Sequence, residues 1–163
     1  NIAGGLMILI FKPFKVGDYI EVNDKEGIVK SITMFYTTIT TFDNKVIQLP
    51  NGNLSNSNIT NYTANKKRRI DIAISVSYDS NIDKVKKIIM EVISKNELIL
   101  QEENNFVRLS KHADSALVFA VKAWTKTENY WDVYFDLMED IKKALDKNKI
   151  EIPFPQMDVH INK

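Results

Sequence analysis

Asn1-Ile-Ala-Gly-Gly-Leu-Met-Ile-Leu-Ile-Phe11 runs directly into Lys12-Pro-Phe-Lys-Val-Gly-Asp18, and the change of character between the two stretches decides how the chain is read. The first eleven residues carry no charge, while every Lys, Arg, Asp and Glu of the 163-residue chain lies from Lys12 onward. Eleven residues are too few to cross a bilayer, which takes about 20 as helix. No basic segment or small-residue cleavage site marks a signal peptide. The chain does not open on Met, and the expectation is a fragment whose start falls inside the end of a longer apolar helix. Pro13 disfavours helix in the residue before it, so that helix stops near Phe11 or Lys12. Lys12 and Lys15 then follow the positive-inside pattern of a cytoplasmic flank. Gly4 and Gly5 would each cost a water-exposed helix about 1 kcal/mol relative to Ala. In a membrane helix such a pair permits close approach of a neighbour or a bend.

Beyond Val16 the period changes to that of strands. Tyr19–Val22 and Ile28–Ile32 flank the polar turn Asn23–Gly27 as a hairpin. Phe35–Phe42, aromatic and β-branched, is a third strand. Val46–Leu49 is a fourth, Pro50–Asn53 a sharp corner, and Asn58–Tyr62 a fifth strand. Closely spaced short strands with few helix signals predict a small five-stranded β barrel. Residues 64–69, Ala-Asn-Lys-Lys-Arg-Arg, read as a joint. After it, Ile70–Val76 is a strand with every second residue apolar. Ile82 to Ile93 has helical spacing, opened by Ser80 and Asp83 as a capping box. Phe106–Leu109 and Ala116–Trp124 are strands, about Tyr130 to Lys147 is an amphipathic helix, and Val159 and Ile161 supply a last strand. The class is α+β, and β-α-β-β-α-β is the ferredoxin-like order.

Composition narrows the function. A chain 44% hydrophobic and 26% charged is neither disordered nor low-complexity. A net charge of +1 draws it as a whole to no polyanion. Without Cys there is no disulfide, no thiolate nucleophile and no Cys-based metal site. No phosphate-binding glycine loop, nucleophile elbow or paired His at metal spacing is present, so no catalytic residue is nominated, and neither a metal nor a cofactor is expected. His112, beside Asp114, reads as a solvated turn residue, and His160 as the outward face of the last strand. Asp136, Glu139 and Asp140 among Lys142 and Lys143 read as a solvated ion-paired helix face. An acylphosphatase-like enzyme would place a Gly-rich loop after its first strand, where this chain has Ser77-Tyr-Asp-Ser80. Lys66–Arg69 is the one dense basic run and raises an alternative, a soluble oligomeric RNA-binding or scaffold module. The aromatic-glycine signature of RNA-recognition strands is missing from Ala116–Trp124.

Taken in order, Asn1-Ile-Ala-Gly-Gly5, Phe11-Lys-Pro-Phe-Lys-Val-Gly-Asp18, Glu26-Gly27, Leu49-Pro-Asn-Gly52, Ile59-Thr-Asn-Tyr62, Val76-Ser-Tyr-Asp-Ser80 and Ile152-Pro-Phe-Pro-Gln-Met-Asp158 resemble the MscS family of small-conductance mechanosensitive channels. The resemblance implies that residues 1–11 are the lower part of a pore-lining helix, 12–67 an Sm-like β domain, and 68–163 the ferredoxin-like α/β domain of a cytoplasmic vestibule. It implies a homoheptamer in the bacterial cytoplasmic (inner) membrane, this segment mainly on the cytoplasmic side. The function implied is opening under membrane tension, with release of ions and small solutes in hypo-osmotic shock. Its partners would be permeating ions and, through helices upstream of Asn1, membrane lipids, with no nucleic acid. Asn1, Gly4, Gly5 and Phe11 take the place of the hinge and gating positions of the pore helix. Lys12, Pro13, Phe14, Gly17 and Asp18 form the junction with the β domain, and Pro50, Asn51 and Gly52 the loop beneath the helix.

Overall fold

The computed structural model describes residues 2–161, and the chain divides into two compact units, Asn1–Lys66 and Lys67–Lys163. In the first, α1 (Ile2–Phe11) leads into β1 (Tyr19–Val22), β2 (Lys25–Ile32), β3 (Tyr36–Thr40), β4 (Val46–Pro50), the short α2 (Asn51–Leu54) and β5 (Ile59–Asn61). The five strands form one antiparallel sheet in the order β4-β3-β2-β1-β5, which leaves β4 and β5 as its edges. Ile8, Phe14, Ile20, Val22, Val29, Ile39 and Leu54 make its core, so both the helix and the strap that follows it are anchored in the β unit. The hairpin turn is tighter than the polar run suggests. Asn23 and Asp24 both take positive φ, 48° and 58°, as a two-residue turn requires, and Lys25 and Glu26 join the strand. The corner expected at Pro50–Asn53 is instead α2, with Pro50 as its extended N-cap.

The second unit contains β6 (Lys67–Val76), α3 (Ile82–Lys95), β7 (Phe106–His112), β8 (Leu117–Lys126), a single 3-10 turn (Thr127–Asn129) and α4 (Tyr130–Lys147). Its sheet is antiparallel in the order β6-β8-β7. Ile70, Ile72, Ile74 and Val76 of β6, with Leu117, Phe119, Val121 and Ala123 of β8, are buried with the apolar stripes of α3 and α4. The basic residues Lys67 to Arg69 belong to β6 and shorten the joint: Arg69 and Lys122 pair with Asp71 on the sheet, and Arg68 lies 3.7 Å over the Tyr130 ring. The cap of α3 is Asn81, one residue beyond the expected Ser80, because its side chain accepts from Lys84 N at 2.9 Å. His112 ends β7 rather than lying in a turn, and is exposed.

The last strand of the ferredoxin-like order, expected at Val159 and Ile161, is not formed among the described residues. Ser77 N donates to Glu151 O at 2.9 Å just past β6, and Gln156 N reaches Ser115 Oγ at 3.0 Å. Between these, Pro153 and Pro155 offer no N–H to a ladder, so the chain leaves the β6 edge. Val159 and Ile161 pair with no strand among the described residues and stay exposed. No helix among the described residues is long and apolar enough to cross a membrane.

Candidate functional site

The site is the seat of α1 on the β unit. α1 is apolar on every side, but it buries only Gly4, Gly5 and Ile8, while Ile2, Leu6, Met7, Leu9, Ile10 and Phe11 are exposed. A helix apolar all round is expected inside a core or a membrane. The buried stripe is thus a narrow one, two glycines followed one turn on by Ile8. A Cβ at Gly5 would stand 1.8 Å from Met34 O and 3.2 Å from Asn51 Nδ2. A Cβ at Gly4 would stand 2.7 Å from Asn51 O and 2.8 Å from Gly52 Cα. Backbone meets backbone here, and no larger residue fits without movement. α1 runs unbroken through both glycines, so in this conformation they serve close approach.

Asn51 holds the floor of the seat in place. It is fully buried, at 0% exposure. Its Nδ2 donates to Thr33 O at 2.7 Å, its Oδ1 accepts from Thr37 Oγ1 at 2.8 Å, and its N donates to Phe35 O at 2.8 Å. The β2–β3 turn carrying Met34 and the α2 turn carrying Gly52 are thereby locked together under the helix. Ser55 Oγ closes the far side by donating to Gly52 O at 3.1 Å.

The junction is built around Asp18. Its carboxylate, only 7% exposed, accepts from Lys15 N at 3.0 Å, Asn61 Nδ2 at 2.9 Å and Thr63 Oγ1 at 3.0 Å. Burial pushes its pKa up, but the bonds from Asn61, Lys15 N and Thr63, together with the Lys15 charge, outweigh it and hold the value below the ordinary 3.8. Lys12 ends α1 with φ at 46°, still donating its N–H to Ile8 O, and Gly17 sits at φ 95° with its N–H on Val29 O. Gly17 is needed for that conformation and not for space, since nothing lies within 4 Å of where its Cβ would be.

The structure therefore gathers Gly4, Gly5, Asn51 and Gly52 at one contact, with Pro50 capping α2, and Lys12, Pro13, Phe14, Gly17 and Asp18 along the strap beside it. Phe11 points away, 73% exposed. Asn1 lies outside the described residues. Sequence reasoning did not find Met34, Thr33, Thr37, Asn61 or Thr63. Four of them act through backbone atoms or single hydroxyls far along the chain, and no spacing rule reaches them. Among the described residues no group of three or more His, Cys, Asp or Glu could hold a metal ion.

Two family models match the chain in succession. One, described as the β-domain of mechanosensitive ion channels, covers residues 1–64, and the other, the C-terminal domain of the mechanosensitive ion channel MscS, covers 70–152. A small-conductance mechanosensitive channel from Edwardsiella ictaluri is 44% identical over 99% of this chain and 56% of its own length. One from Helicobacter pylori is 39% identical over 99% of this chain and 59% of its own. The crystal structure of Helicobacter pylori MscS in its closed state superposes with a TM-score of 0.94 at 39% identity, across 99% of this chain and 64% of that one. Arabidopsis thaliana MSL1 shares the fold, with a TM-score of 0.78 at 20% identity over 94% of this chain and 57% of that one. The chain thus spans little more than half the length of the curated relatives it matches. With both domain models matched in order along one polypeptide, the first of them taking in the apolar helix seated by paired glycines, the chain belongs to the MscS family of mechanosensitive ion channels.

Proposed function

We propose that the chain is the lower pore helix and cytoplasmic part of a channel opened by membrane tension, which releases ions and small solutes when the cell is diluted. The observation that carries this is the seat itself: an apolar helix that turns only Gly4, Gly5 and Ile8 to its own β unit and leaves its large side chains exposed. Such a helix needs an apolar surrounding, which a lipid interface and copies of itself around a pore supply. In this reading residues 1–11 end the pore helix, 12–67 form the β domain, and 68–163 form a vestibule domain. The protein is a homoheptamer of the bacterial inner membrane, with this segment mainly on the cytoplasmic side and lipid contacts made by helices preceding Asn1.

Tension acts as a ligand with unequal affinity would, doing work on two pore states of different in-plane area. A dewetted apolar constriction closes the conducting path. The contact of Gly4 and Gly5 with Met34, Asn51 and Gly52 is the bistable element: helix seated in the non-conducting, desensitised state, helix lifted in the conducting one. Gly5 is then the contact point from which the helix lifts, helical in both states, and Phe11 to Asp18 is the strap along which the movement enters the β domain. The test is patch recording of the full-length protein under suction. Pressure-activated currents that decay under sustained suction are the expected result, and a membrane protein silent at suctions approaching patch rupture refutes the reading.

A further inference from the structure

Three stretches of chain meet at Asp18. The strap after α1 contributes Lys15 N and Pro13 O, the start of β1 contributes Asp18 and Tyr19 N, and the chain leaving β5 contributes Asn61 and Thr63. Asn61 Nδ2 is shared between Asp18 Oδ2 at 2.9 Å and Pro13 O at 3.3 Å. Thr63 Oγ1 donates to Asp18 Oδ1 and accepts from Tyr19 N at 3.1 Å, while Thr63 N donates to Asn61 Oδ1 at 3.1 Å. Asp18 N in turn donates to Lys15 O at 3.1 Å, closing a ring with the bond that Lys15 N makes to its carboxylate. One buried carboxylate thereby fastens the exit of α1 to the last residues before the joint at 64–66, beyond which the second unit begins at Lys67.

None of the backbone ladders of the β sheet uses the Asp18 carboxylate. The apolar core takes in Phe14 of the strap together with Ile20, Val22, Val29 and Ile39, and the carboxylate stands apart from it among polar partners. What Asp18 adds is a fixed position of the Phe14–Lys15 strap relative to Asn61–Thr63. Phe14 itself is buried, so the strap has two anchors, one apolar and one charged. A charged acceptor makes bonds about twice as strong as a neutral one, and removing it leaves the three donors Lys15 N, Asn61 Nδ2 and Thr63 Oγ1 without that acceptor.

We propose that Asp18 is a positioning residue for gating, a clamp that aligns the end of α1 over its seat and couples its movement to the chain entering the second unit through Asn61 and Thr63. The proposal rests on the channel reading above. It predicts that loosening the clamp slows the return of the helix to its seat while leaving the conducting path itself unaltered.

The experiment is inside-out patch recording of the full-length protein, comparing wild type with Asp18→Asn, Thr63→Val and the double variant. Decay of current under sustained suction is expected to slow about tenfold in each single variant, the factor that ~1.4 kcal/mol carries. The double variant should be no slower than the slower single one, because both changes open the same clamp. Unitary conductance stays at the wild-type value. Should Asp18→Asn fail to assemble, Asn61→Ala, which keeps the carboxylate with its Lys15 and Thr63 bonds, is read in its place with the same expectation. Additive slowing in the double variant, or unchanged decay in the singles, overturns the clamp while wild-type currents leave the channel reading standing. A change in unitary conductance with unchanged decay also overturns it. A wild-type protein with no suction-activated current overturns both.

Discussion

Gly5→Ala is the sharpest perturbation of the seat. The added methyl would lie 1.8 Å from Met34 O and 2.8 Å from Met34 C, both backbone atoms of a turn locked by Asn51. Real Cβ contacts are not found below 3.0 Å, so the helix and the turn must separate by more than an ångström at this point. Overpacking of a tight contact costs about 1–3 kcal/mol. Ala also favours helix over Gly by about 1 kcal/mol, but the residue is helical whether α1 is seated or lifted, and this gain cancels between the two states. The seated population should fall about 5- to 150-fold relative to the lifted one. In patches of the full-length protein, the current under sustained suction should persist where the wild-type current decays, with the opening threshold unchanged or lowered. Wild-type threshold and wild-type decay in Gly5→Ala would refute the argument that this contact is the switch. Enhanced decay would reverse its sign and place the seated helix in the conducting state.

Gly4→Ala should act in the same direction but less strongly, because its Cβ meets Asn51 O and Gly52 Cα at 2.7 and 2.8 Å rather than 1.8 Å; the same recordings check the order. Asn51→Leu strands the buried Thr37 hydroxyl and removes the donor to Thr33 O, at about 1–3 kcal/mol, and hydrogen exchange of the β3 amides should quicken about 5- to 150-fold. The depressed pKa of Asp18 makes its contribution to stability full above the ordinary value near 3.8 and lost as pH falls through the lower folded-state value. Wild type should therefore lose stability more steeply than Asp18→Asn as pH drops from about 4 toward 2, read as melting temperature by circular dichroism. Tyr130→Leu, which removes the ring beneath Arg68, should cost the second unit about 0.5–1 kcal/mol, measured by urea unfolding followed through Trp124 and Trp131.

Much of the architecture was open to reading along the chain because it rests on local periodicity. The four-fold alternation of Ile70, Ile72, Ile74 and Val76 became the buried face of β6, and the stripe of α4 came out at Tyr130–Lys147, as its spacing requires. Where reading erred, tertiary partners intervened. α2 replaced a corner because Asn51 finds acceptors and donors on β3 and the turn before it, and among the described residues no last strand follows the Pro153–Pro155 stretch at which the chain leaves β6. The resemblance placed Gly5, Asp18 and Gly52 in three separate motifs, but it could not say which atoms they meet.

The sequence by itself determined that an uncharged helix precedes two small domains, and that it stops near Phe11 or Lys12, since charge and φ restriction are written in residue types. Only the tertiary structure decided what the glycines and Asp18 are for. Close approach is a property of two backbones at once, and Gly5 is indispensable only because Met34 O lies where its Cβ would be. A buried carboxylate is likewise defined by its donors, and those of Asp18 come from residues 3, 43 and 45 positions away. Folding alone brings them to one point.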